Sequence, residues 1–225
     1  IEHYDYLVPF FQNVNYVRVN NAPVFAIYRA GHVGDKLEPM IQCWQRLSRE
    51  RGDFPNGLHI VQTVSNFYRE DRAEVSQRQL QKSDAQFDGS FQFWPQLFQA
   101  FPRVASNESA ASEMDVKIRN VNPTKHMQYW GAFVGFDRRP RDQTAFPYVR
   151  SPAQFQSSVC ESFRRLATYR HRVIATNLYF VTAWNEWNEQ AVLEPNTMDQ
   201  FAYLQSLNHC LRHVPVPQVQ VYYQQ

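Results

Sequence analysis

The chain has 225 residues, 44% of them apolar and 15% aromatic, enough to bury the core of one domain or a large part of one. Its 23 basic and 21 acidic residues leave a formal charge of +2 and form no long like-charge blocks, which excludes a broad phosphate-binding face and with it a nucleic-acid partner. No stretch approaches 18 apolar residues, so no transmembrane segment is expected.

The start, Ile1-Glu2-His3-Tyr4, has neither the basic opening nor the apolar core of a secretory signal, and no initiating methionine, so the chain reads as a part excised from something longer. Pro23-Val24-Phe25-Ala26-Ile27-Tyr28 is a short continuous apolar run of the kind found in covered parallel strands. Asp35 then opens a helical pattern carrying Leu37, Met40, Ile41, Trp44 and Leu47, which Gly52 closes. Leu58–Val64 is a second strand candidate, and Phe91-Gln92-Phe93-Trp94 a third. Residues 102–125 are polar and aperiodic, an irregular insertion rather than an ordinary connection. Met127–Val134 resumes strand character and ends in Gly135-Phe136-Asp137-Arg138-Arg139-Pro140-Arg141.

The helix over about 152–170 places Phe155, Val159, Phe163 and Leu166 on one stripe. It leads to a strand, Asn177–Thr182, and a last helix from near Asp199 presents Phe201, Leu204, Leu207 and Leu211 before Pro215 and a tail over 213–225. Repeated strand-then-helix units predict an α/β fold, a parallel barrel or an open sheet. About five strands can be counted, too few for eight.

The three cysteines, Cys43, Cys160 and Cys210, are far apart in helical segments and read as buried or half-buried thiols. His3, His59 and His126 form no ligand-spaced cluster, so no metal or other cofactor is expected.

The chemistry concentrates after the last strand, in Thr182-Ala183-Trp184-Asn185-Glu186-Trp187-Asn188-Glu189-Gln190 and on to Leu193-Glu194-Pro195. Three carboxylates among indoles and amides at a strand mouth suit a sugar-handling site. On a helical turn Glu186 and Glu189 can face one another with Cβ atoms roughly 5–6 Å apart, and such a pair can divide into a proton donor and an ionised base. On an extended segment they would point apart. Acids at these positions also complement the open amides of a helix start.

These residues resemble the WbsX-type bacterial polysaccharide-biosynthesis proteins, whose domain is related to the endo-acting α-mannosidases of glycoside hydrolase family 99. Four passages carry the resemblance: Leu7-Val8-Pro9-Phe10-Phe11 with Tyr16–Val19 and Pro23–Arg29; Phe87-Asp88-Gly89-Ser90-Phe91; Gly135-Phe136-Asp137 with Pro140-Arg141; and Ala183–Trp187 through Glu189 to Leu193-Glu194-Pro195. The resemblance implies one family domain over 1–225, the C-terminal portion of a (β/α)8 TIM-barrel-like fold whose first strands are missing from this chain. It also implies a cleft at the C-terminal strand ends. Other domains of a larger parent, or an oligomer, would complete the barrel.

In the hydrolase relatives the acids matching Glu186 and Glu189 do the chemistry. The resemblance implies that Glu186 deprotonates a sugar 2-hydroxyl, which attacks the anomeric carbon, while Glu189 protonates the leaving oxygen and later activates the acceptor. Glycan contacts are expected from Trp184, Asn185, Trp187 and Glu194 of the motif, from Asp137 and Arg138 at a strand end, and from Arg29, where family members commonly keep Tyr-Arg. Each has a structural alternative: core packing for the indoles, a solvated turn for Asp137-Arg138, an internal ion pair for Arg29. The family's Gly-Trp-Asp-Asn-Thr-Pro-Arg is here Gly135-Phe136-Asp137-Arg138-Arg139-Pro140-Arg141, and Gln190 stands where relatives more often have Gly. The expected partner is a glycan or activated sugar and the expected location the cytoplasm, at or near the membrane surface. Three readings follow: a glycosidic-bond-forming enzyme of surface polysaccharide synthesis, a retaining endo-hydrolase of α-linked glycans, or a non-catalytic glycan-binding or scaffold domain.

Overall fold

The computed structural model describes residues 1–28, 30–64, 87–92, 127–137, 139–141, 143, 149–168, 174–214 and 220–223. Arg29, His126, Arg138 and the insertion over 102–125 lie outside them.

Helix α1 (Glu2–Phe11) buries Tyr4 and Phe11 and carries Pro9 in its last turn. It docks on α2 (Leu37–Glu50), whose buried line Leu37, Ile41, Trp44, Leu47 repeats at helical spacing. The Tyr4 hydroxyl donates to Asp53 at 3.2 Å, and Arg51 pairs with Asp5. The strands are β1 (Arg18–Val19), β2 (Ala22–Ile27), β3 (His59–Val64), β4 (Gly89–Gln92), β5 (Met127–Phe133), β6 (Ile174–Thr182) and, in the segment read as a tail, β9 (Gln220–Tyr223). A separate two-stranded hairpin, β7 (Asn185–Glu186) with β8 (Ala191–Val192), follows β6.

The main sheet runs β1-β2-β3-β4-β5-β6-β9. Its β1–β2 pair is antiparallel and every later pair parallel. The spatial order never reverses, so the described sheet has no switch point of the kind that splits a doubly wound sheet. Its described helices cover one face: α1 and α2 pack on Ile27 and Ile60, while α3 (Pro152–Thr168) and α4 (Ala202–His213) pack on Trp130, Ala132, Tyr179 and Val181. The opposite face carries Val24, Val61, Phe91, Tyr129, Leu178 and Phe180, with Phe91 and Phe180 stacked at 3.9 Å between centroids. Sequential parallel winding with helices on one side is that of a half-barrel, and it decides between the barrel and the open sheet.

Two local features place the strands that matter. Gly131 faces Phe180 across β5 and β6; a Cβ there would lie 2.1 Å from the Phe180 carbonyl oxygen, so only glycine lets the two backbones approach. Ser151 and Gln154 cap α3 reciprocally, with Gln154 N–H to Ser151 Oγ at 3.2 Å and Ser151 N–H to Gln154 Oε1 at 2.8 Å, ahead of Pro152.

The cysteines depart from the thiol reading. Cys160 on α3 and Cys210 on α4 form a disulfide with a Cα–Cα separation of 4.8 Å, and Cys43 alone is free. Their contact follows from α3 packing on α4, which a spacing of 50 residues does not reveal. On α4, Leu204, Leu207 and Leu211 of the expected stripe pack on the core, and Phe201 departs from it. Ser206, Leu207 and Cys210 are buried, whereas Phe201 lies before the helix and is 58% exposed, because the helix turns Cys210 to Cys160 and Ser206 Oγ to the Pro152 carbonyl at 3.0 Å.

Candidate active site

β6 ends in buried Val181 and Thr182, and the Thr182–Ala183 peptide is cis. The chain then folds into the β7–β8 hairpin, with Asn185 opposite Val192 and Glu186 opposite Ala191. Buried Ala191, Val192 and Leu193 anchor its return strand. Leu193 N–H donates to the Ala183 carbonyl at 3.0 Å, and Glu194 N–H to that of Trp184 at 2.9 Å. At the hairpin tip Trp187–Glu189 make one turn of 3-10 helix, closed by Gln190 at φ 52°, ψ 27°. Glu186, at φ -79° and ψ 74°, is the last residue of β7 before the turn, and Glu189 is the last residue of the turn. This is neither the α-helical nor the extended arrangement weighed from the sequence, and it brings the acids together.

The partner they share is Arg141. Its Nη2 lies 2.9 Å from Glu189 Oε1 and 3.8 Å from Glu186 Oε1, so the two carboxylate oxygens are no farther apart than the sum of those distances, about 6.7 Å. The Glu186 side chain is 41% exposed and that of Glu189 18%. The pair is charge-compensated but open to solvent. Sequence reasoning did not single out Arg141, although it stands in one of the matched passages. The available signal was a cation fixed behind a proline at the carboxyl end of the strand next to the motif strand.

Asp137 explains how Arg141 arrives there. Arg139 donates to its Oδ1 from the main-chain N–H at 3.0 Å and from Nε at 2.9 Å, and to Oδ2 from Nη2 at 2.5 Å. The first bond closes an Asx-type turn. These side-chain hydrogen bonds, helped by the charge of Arg139, hold the Asp137 carboxyl below the usual carboxylate range. Asp137 is buried, at 4% exposure, and its own N–H donates to the Glu189 carbonyl at 2.6 Å. The loop after β5 therefore grips the motif after β6 twice, at the backbone and at the carboxylate of Glu189.

The remaining expected residues separate. Trp184 is half-buried against the α3–α4 core. Asn185 is exposed on β7. Trp187 is 53% exposed and its Nε1–H donates to Glu194 Oε2 at 3.0 Å, which fixes the ring beside the acids. Arg29 and Arg138 fall outside the described residues. Among the described residues no three His, Cys, Asp or Glu side chains assemble as a metal-ligand set.

A parallel half-barrel with an acid pair beyond the carboxyl ends of adjacent strands has its polar groups where α/β folds of this winding place their sites. The family model described as Glycosyltransferase WbsX matches residues 1–207, and the chain belongs to that family, which makes it a carbohydrate-active domain. The chain is 25% identical over 227 residues to "Uncharacterized protein WxcX" of Xanthomonas campestris pv. campestris, covering 92% of this chain and 29% of that protein. It thus spans under a third of that relative. Among solved structures it is similar to a "Glycoside hydrolase-like protein" (TM-score 0.56, 13% identity, 93% of this chain and 59% of that one). Another similar structure is the GH99 endo-alpha-mannosidase from Bacteroides thetaiotaomicron (TM-score 0.49, 14% identity, 93% and 59%). The first of these likenesses shows the fold.

Proposed function

We propose that this domain forms or rearranges glycosidic bonds in the synthesis of a surface polysaccharide, with Glu186 and Glu189 as its catalytic pair. The observation that supports this most is the convergence of both carboxylates on one guanidinium at an open strand mouth, each still reachable by solvent. Two successive displacements at the anomeric carbon, each inverting it, give net retention. Net retention is accordingly part of the proposal.

In this reading Glu186 takes the proton of the donor sugar's 2-hydroxyl. The freed O2 attacks the anomeric carbon as its bond to the leaving oxygen breaks, and Glu189 gives that oxygen a proton. The acceptor hydroxyl next passes its proton to Glu189 and attacks the same carbon, opening the C1–O2 bond, and O2 recovers its proton from Glu186. Exposed Trp187, held by Glu194, offers an apolar face to a sugar ring, and Asn185 a side-chain amide to its hydroxyls. Arg29 and Arg138 belong to the same proposed glycan contacts, as do other domains or a second chain completing the barrel.

No helix of the described residues is long and apolar enough to cross a membrane. The Cys160–Cys210 disulfide weighs against a reducing compartment, so the cytoplasmic position expected from the sequence is not carried into the proposal.

The same acids serve hydrolysis when water wins as acceptor. The deciding experiment is a product assay read by mass, on wild type, Glu186→Gln and Glu189→Gln, with α-linked oligosaccharides in the presence and absence of sugar-nucleotide donors. Loss of one product in both folded variants supports the pair, and a donor requirement supports transfer. A product that survives both substitutions moves the domain to a binding or scaffold role.

A further inference from the structure

We infer that Arg141 is the positioning residue of the acid pair, holding Glu186 and Glu189 on one side of the hairpin tip at a fixed spacing. The inference rests on the reading of those two glutamates as catalytic. Both carboxylates project from the tip of a short hairpin, and the Glu186 side chain is 41% exposed. One nitrogen of Arg141 lies 2.9 Å from Glu189 and 3.8 Å from Glu186, and so ties the two acids to a common point. The guanidinium is itself brought to them by a built loop. Asp137 closes the turn on Arg139, Pro140 restricts the backbone before Arg141, and the Asp137 N–H ties the loop to the Glu189 carbonyl.

Arg141 is 57% exposed, and among the described residues its Nε and Nη1 make no hydrogen bond. The contacts it makes are therefore to the two acids, which sets it apart from Arg139, spent on Asp137. A single Nη2 makes both contacts, so a lysine ammonium, a point charge on a flexible stem, can take over part of the role.

The test compares wild type, Arg141→Gln and Arg141→Lys by crystal structure and by steady-state kinetics in the product assay. The expected outcome is a Gln variant in which the two Oε1 atoms separate beyond the present ceiling and kcat falls about 100-fold, with KM nearly unchanged. The Lys variant should recover part of kcat. An undisturbed pair in Arg141→Gln overturns the inference, as does a raised KM with intact kcat, which makes Arg141 a substrate-binding group instead. Should wild type yield no product, the proposed function fails on its own account, and the carboxylate separation in Arg141→Gln alone decides the role of Arg141.

Discussion

The N–H of Asp137 and the carbonyl of Glu189 meet at 2.6 Å, so the loop after β5 and the hairpin after β6 are one mechanical unit. Loosening either end should disturb the other. Asp137→Ala removes the acceptor of four Arg139 bonds and should cost about 1–3 kcal/mol of stability. It should also reduce turnover without touching the acids. Urea unfolding and the product assay read the two effects; unchanged turnover in a destabilised variant would dissociate the loop from the site. The sign with pH follows from the depressed Asp137 pKa: its contribution is present above the ordinary aspartate range and is lost as pH falls through the folded value.

Gly131→Ala is expected to be among the more damaging small changes, because its methyl would meet the Phe180 backbone rather than a side chain able to move. A loss of about 1–3 kcal/mol should appear as a lower urea midpoint at unchanged slope.

His59 makes a second pH dependence. Its Nε2 lies 2.7 Å from the Tyr129 hydroxyl, and burial lowers its pKa against the opposing pull of Asp88. Burial likewise pushes the Tyr129 hydroxyl well above its ordinary range. The fold thus prefers neutral imidazole. Stability from His59 should be full above the unfolded pKa of about 6.5 and decline as pH falls below it. His59→Gln should flatten the difference in urea midpoint between pH 7.5 and pH 5.5; an unaltered difference would assign it to other groups.

Gln190 holds φ 52°, a left-handed conformation that costs a side-chain-bearing residue roughly 1–2 kcal/mol. Gln190→Gly should stabilise the domain by up to about 1 kcal/mol once the freer unfolded chain is counted, read as a higher melting temperature. The Gly that relatives more often carry there fits the same backbone.

Reduction of the disulfide, or the double change Cys160→Ser with Cys210→Ser, should cost about 4 kcal/mol for a loop of this length on the chain-entropy account. Unfolding with and without dithiothreitol measures it.

The α/β class, the strands at Pro23–Tyr28, Leu58–Val64 and Met127–Val134 and the helices around Trp44 and Phe163 were legible because their apolar periods are strong and local. β9 was not, since Gln220–Tyr223 shows no such period and is a strand through pairing with β6. Helix α1 was hidden by Pro9, which argues against a helix while sitting in its last turn. The acid motif was readable from residue type and order. What sequence could not supply is that Glu186 and Glu189 meet at Arg141, 45 positions from one of them and 48 from the other, since that contact depends on β5 and β6 lying side by side.

The bond between Cys160 and Cys210 also turns the chain between them into a covalent ring, and that ring contains β6, the hairpin and both glutamates. A single protease cut anywhere inside it opens the ring without freeing a fragment. Such a nicked domain would run as one species on a non-reducing gel and fall into two only with thiol, so an intact band is no proof of an intact site.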